Sequence, residues 1–118
     1  MAQPKLIFTS SASPEISWRP RADVYRTSHG WMIKFELAGV PPEDLHVYAS
    51  GRRLTVAGIR RDTVSEKGCN HYMMEITYNR FERTLELPCE VDAENLDVRL
   101  IHGILHVHVT SNQAGGNL

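Results

Sequence analysis

Long apolar runs are missing from this chain. The longest are a few residues, far below the ~20 that a membrane-crossing helix needs. "KLIF" (5–8) is likewise too short for the core of a secretory signal, so a cytoplasmic location is expected. A basic excess is also missing: 13 Lys and Arg against 14 Asp and Glu leave a formal charge of −1. Nothing is left over to neutralise a run of phosphates, which argues against nucleic acid and anionic membrane surfaces as partners. Cysteine is scarce. Cys69 and Cys89 share no C-x-x-C spacing, which suggests neither a disulfide framework nor a zinc site, and both are expected to be reduced. Cys69, in a polar loop, is the more reactive of the two.

Chemistry-bearing motifs are equally sparse. Neither Gly-x-x-x-x-Gly-Lys-Ser/Thr nor Gly-x-Gly-x-x-Gly occurs, so ATP-driven work is not expected of the chain alone. No Ser, Cys or His is paired into a nucleophile and base beyond chance, and the expectation is a non-enzyme without a cofactor. His106 and His108 alternate around Val107 on one strand face, a spacing that could hold zinc if a third ligand arrived from a neighbouring strand. His46 is the other histidine inside an expected strand. With no carboxylate at a fixed distance to orient the imidazoles, these read as a solvated face and no metal site is assigned.

What is present is alternation. The 118 residues fit one domain, in which 42% hydrophobic and 23% charged residues are ordinary proportions. Residues 1–17 mix Ser, Thr, Pro and Ala around Leu6, Ile7 and Phe8 without a period, and are read as a flexible arm. Strands are expected at 22–27, 31–38, 45–49, 53–58, 97–101 and 104–109, with Ile33, Phe35 and Leu37 on one face of the second. The run "HYMMEITYNRFERTLELP" (71–88) is too long for one strand and reads as two, or as one bent at Asn79. "GVPPED" and "DAEN" have room for a single helical turn each. His102-Gly103 reads as a two-residue hairpin loop. The residues after Thr110 have nothing to bury. The fold class is therefore all-β, an immunoglobulin-like sandwich of about seven to eight strands over residues 18–110, with a short disordered tail at 111–118.

Counting back by twos from Leu87 puts Leu85, Arg83 and Phe81 on one strand face. An isolated charge on a buried face costs several kcal/mol. Arg83 therefore either snorkels at a strand end or meets carboxylates or carbonyls at a contact.

Three motifs, in order, resemble the α-crystallin domain of the small heat-shock proteins. They are "FELAGVPPEDLHVYASGRRLTVAG" (35–58), "EITYNRFERTLELPCEVD" (75–92) and "VRLIHGILHVHV" (98–109). Ala38, Ile76, Asn79, Val98 and His102 stand where that family prefers Pro, Arg, Gly, Ala and Asn. The resemblance implies an ATP-independent chaperone that holds partly unfolded client proteins. The alternative is a co-chaperone-like interaction module of the same sandwich fold. The small heat-shock resemblance also implies a homodimer formed by exchange of a strand within residues 61–76, with Arg83, Phe81, Tyr72 and Met74 at the interface, and leaves room for a larger oligomer. The tail "TSNQAGGNL" lacks the family's Ile-x-Ile/Val motif. The groove that such a tail fills would lie between 45–49 and 97–101, lined by Leu45, Val47, Val98 and Leu100. Leu6, Ile7 and Phe8 of the arm, with Ile16 and Trp18, are further candidates for client contact.

Overall fold

Alternating side chains produce two antiparallel sheets. The computed structural model describes residues 15–64 and 66–111. Seven strands are present: β1 (Ala22–Arg26), β2 (Gly30–Glu36), β3 (Leu45–Ser50), β4 (Arg53–Arg60), β5 (Asn79–Glu86), β6 (Leu96–Ile101) and β7 (Ile104–Thr110). One sheet runs β1-β2-β7-β6 and the other β3-β4-β5. Because successive strand residues point to opposite faces, Ile33 and Phe35 of β2, Leu54 and Val56 of β4, Phe81 of β5, and Leu105, Val107 and Val109 of β7 meet in one buried layer. Each such large side chain removed from water contributes about 1.5–3 kcal/mol.

The connections follow local chemistry. Pro41 and Pro42 end the extended run after Leu37, and Pro42–Asp44 forms one turn of 3-10 helix before β3. A second such turn, Ala93–Asn95, is capped by Asp92, whose carboxylate accepts from the backbone N–H groups of Glu94 and Asn95. Both lie where the sequence left room for them. His102 (φ 50°) and Gly103 (φ 80°) close the β6–β7 hairpin in the left-handed region that a two-residue loop requires. A side chain at 103 would also press on Ala38.

The expectation for 71–88 needs correcting. Only Asn79–Glu86 is a strand; residues 71–78 pair with nothing in their own sheets among the described residues. Asn79 does mark the change of direction, with φ 77°.

Candidate functional site

β5 carries the two residues that the alternation singled out. Phe81 is buried on the inner face, its ring packed 5.0 Å from that of Trp18. Its ring also fills the space where Gly58 lacks a side chain; a Cβ at 58 would strike the Phe81 ring and run into the Asp44 carbonyl oxygen. Arg83 is half-buried on the same face, and its Nη1 donates to the carbonyl oxygen of Pro20 at 2.9 Å. The charge thus meets a carbonyl from the segment that leads into β1.

That segment closes the free edge of β5. Ser17 N–H donates to the Arg80 carbonyl oxygen at 2.9 Å, and Trp18 forms a parallel bridge with Phe81. Trp18 Nε1 donates to the Asn79 carbonyl oxygen at 3.1 Å. Residues 1–14 lie outside the described residues, and with them Leu6, Ile7 and Phe8 of the expected client surface. Ile16, the described apolar residue just before Trp18, is exposed.

Sequence reasoning missed Arg60. Counting by twos from Leu54 through Val56 and Gly58 places Arg60 on the inner face of β4, the same signal that drew attention to Arg83. Its Nε donates to the Thr77 carbonyl oxygen at 2.9 Å, and its Nη2 to Thr77 Oγ1 at 3.2 Å. Nη1 donates to the Ala38 carbonyl oxygen at 2.9 Å. The guanidinium carbon stands 4.1 Å from the centre of the Trp18 ring.

Between β4 and β5 the chain makes a long excursion, residues 61–78. Among the described residues its hydrogen bonds to the sandwich lie at its two ends, Arg61 to Asp44 and Arg60 to Thr77. The Arg61 guanidinium holds the Asp44 carboxyl below its ordinary range, by hydrogen bonding first and by charge second. A turn in which Cys69 N–H donates to the Glu66 carbonyl oxygen reverses the chain. Val64, Tyr72, Met73, Met74 and Ile76 are all exposed, Tyr72 entirely so at 102%.

Among the described residues three sheet edges remain open. β3 and β6 are each the last strand of their sheet. β5 lies against the segment entering β1, and β3 and β6 are the strands at the other ends of the two sheets. Leu45, Val47 and Leu100 pack half-buried against the core there, and Val98 is 40% exposed. On the third open edge, β1 bears Val24 and Tyr25, 46% and 42% exposed.

The histidines of β7 lie on the outer face of the four-stranded sheet. His106 stands between Lys34 and Arg99, and His108 between Met32 and Asp97. Among the described residues no three His, Cys, Asp or Glu side chains converge as metal ligands. Among them, too, no helix is long and apolar enough to cross a membrane.

An antiparallel sandwich whose β4–β5 connection is a projecting excursion can now be set beside known proteins. The sequence model of the Hsp20/alpha crystallin family matches residues 23–117. This chain belongs to the Hsp20/alpha crystallin family. It is 30% identical over 108 residues to small heat shock protein C2 of Rickettsia felis, an alignment that covers 92% of this chain and 70% of that one. It is 31% identical over 86 residues to spore protein SP21 of Stigmatella aurantiaca, covering 73% of this chain and 51% of that protein. The matched region therefore spans about half of one of these relatives and 70% of the other. Among solved structures, heat shock protein 16.0 of Schizosaccharomyces pombe superposes with a TM-score of 0.74 at 25% identity, over 80% of this chain and 88% of that one. A small heat-shock protein from Xylella fastidiosa gives 0.70 at 25% identity, over 80% and 87%. Membership in the Hsp20/alpha crystallin family supports a chaperone role in general terms.

Proposed function

We propose that this chain is an ATP-independent holdase, which binds partly unfolded proteins and keeps them from aggregating, and that it works as a homodimer joined by exchange of a strand within residues 61–76. The observation that carries the proposal is the excursion itself. Val64, Tyr72, Met73, Met74 and Ile76 are large apolar side chains that no surface of the described residues covers. Such a set on a soluble domain calls for a partner. The matching acceptor is β1, the first strand of its sheet among the described residues, which bears exposed Val24 and Tyr25. An extended segment adds to such an edge through main-chain hydrogen bonds, with alternate side chains supplying specificity.

In this reading Tyr72 and Met74 contact the second subunit directly. Arg83 acts through the segment it holds against β5, and Phe81, buried in its own core, supports Trp18 from below. Clients join the flank between β3 and β6, along Leu45, Val47, Val98 and Leu100, together with Leu6, Ile7 and Phe8 of the arm. Further assembly of dimers into larger oligomers is compatible with this arrangement. A reducing, cytoplasmic setting fits the two free thiols.

The test is solution mass by light scattering, combined with heating of an unrelated client, on the whole chain and on a variant lacking residues 1–14. Deletion stops there because Ser17 and Trp18 are part of the β5 edge. Suppression of client aggregation without ATP, weakened by the deletion, supports the holdase and the arm together. A dimer that protects no client but binds one folded partner tightly would instead indicate a co-chaperone-like module.

A further inference from the structure

Arg60 occupies an unusual position: one guanidinium touches three segments far apart in sequence. Its Nε and Nη2 grip Thr77, on the returning limb of the excursion. Its Nη1 grips the Ala38 carbonyl, in the link that leaves the four-stranded sheet. One face of its plane lies on Trp18, 4.1 Å from the ring centre. A planar fork makes such multiple contacts because its donors diverge in fixed directions while its faces stay free for stacking. A lysine has neither the fork nor the flat face.

Trp18 also reaches the base of the excursion directly. Trp18 Nε1 donates to the carbonyl oxygen of Asn79, the left-handed residue where the excursion turns into β5. The base of the excursion is thus held from two sides, by Arg60 at 77 and by Trp18 at 79, with each holder stacked on the other.

We propose that Arg60 is a positioning residue that couples the N-terminal segment to the excursion, so that displacement of Trp18 loosens residues 61–78 and weakens subunit exchange. The coupling rests on the strand-exchange reading above. It runs both ways, as linkage requires: engaging the excursion in a second copy holds Trp18 down, and pulling the N-terminal segment away releases the excursion. Anything that captures the arm therefore also shifts the population of dimers.

The experiment uses the full chain with Trp31→Phe, which leaves Trp18 as the single tryptophan reporter. Dimer dissociation is followed by dilution in the analytical ultracentrifuge, and Trp18 emission is recorded over the same concentrations. The expected result is a red shift of Trp18 emission that follows dissociation, although Trp18 lies on its own chain's β5. Arg60→Met, and Arg60→Lys should the former fold poorly, is expected to raise the dissociation constant at least tenfold and to uncouple the emission from dissociation. Combining Arg60→Met with Trp18→Leu should cost less than the two single losses added together. The proposal is overturned if either variant lowers the melting temperature while leaving the dissociation constant unchanged, or if the two losses add fully. A chain that is monomeric at every concentration removes the exchange reading by itself. Arg60 is then judged by amide hydrogen exchange at 77–79 in Trp18→Leu: faster exchange sustains the coupling and unchanged exchange ends it.

Discussion

Arg83 and Pro20 are joined by a 2.9 Å hydrogen bond from the guanidinium to the carbonyl oxygen, across 63 positions of sequence. The bond fastens β5 to the segment entering β1, and so links the two sheets at one flank. Removing the side chain leaves the carbonyl of buried Pro20 without this donor. Arg83→Ala should cost about 1–3 kcal/mol in urea unfolding of the separated monomer. Arg83→Lys should recover part of that loss, and an unchanged unfolding midpoint for the alanine variant would show the bond to be idle.

Phe81 is buried in the core against Trp18 and Gly58. Phe81→Ala should cost roughly 3–5 kcal/mol, since the ring closes the space between Gly58 and Trp18. Gly58→Ala should also destabilise, by overpacking, because its Cβ would meet both the Phe81 ring and the Asp44 carbonyl. Thermal melts of the two variants are the check, and a Gly58→Ala protein as stable as wild type would contradict the packing described.

Tyr72 and Met74 test the interface without touching the core. Both are exposed, so Tyr72→Ser and Met74→Ser should leave monomer unfolding within about 0.5 kcal/mol of wild type, as surface changes do. Together they should raise the dimer dissociation constant by tenfold or more. Sedimentation that shows equally tight dimers would remove these residues from the interface.

The Asp44–Arg61 pair gives a pH dependence with a defined sign. Arg61 lowers the Asp44 pKa from its ordinary value of 3.8. A group lowered by folding stabilises the native state above that ordinary value, and its contribution is lost as pH falls through the lowered one. Asp44→Asn should therefore melt slightly below wild type at neutral pH, with the gap closing well below pH 3.8. Because Arg61 is largely exposed, the gap is small and salt should narrow it further. A gap that persists unchanged at acid pH would count against the ion pair.

The two thiols should separate kinetically. Cys69 is exposed and Cys89 is buried among Leu87 and Val91. A thiol-reactive dye should label Cys69 promptly and Cys89 only on unfolding. Prompt reaction of two thiols per chain, read by mass spectrometry, would contradict the burial of Cys89.

Alternation by itself determined the strands, the faces they bury and the turns between them. Ile33, Phe35 and Leu37 were readable as core, and His102-Gly103 as a hairpin, because strand periodicity and positive φ are local properties of a few consecutive residues. The ordered motifs also marked the family. Residues 71–78 were misread as strand because their composition suits one. A strand exists only where a neighbouring backbone supplies hydrogen bonds, and within this chain none does among the described residues. The same count that exposed Arg83 would have exposed Arg60, yet no count could name their partners. A charge on an inner face announces that a partner is needed. That the partners are Pro20, Thr77, Ala38 and Trp18 was decided by tertiary structure, because only folding brings segments so far apart in sequence within reach of one guanidinium.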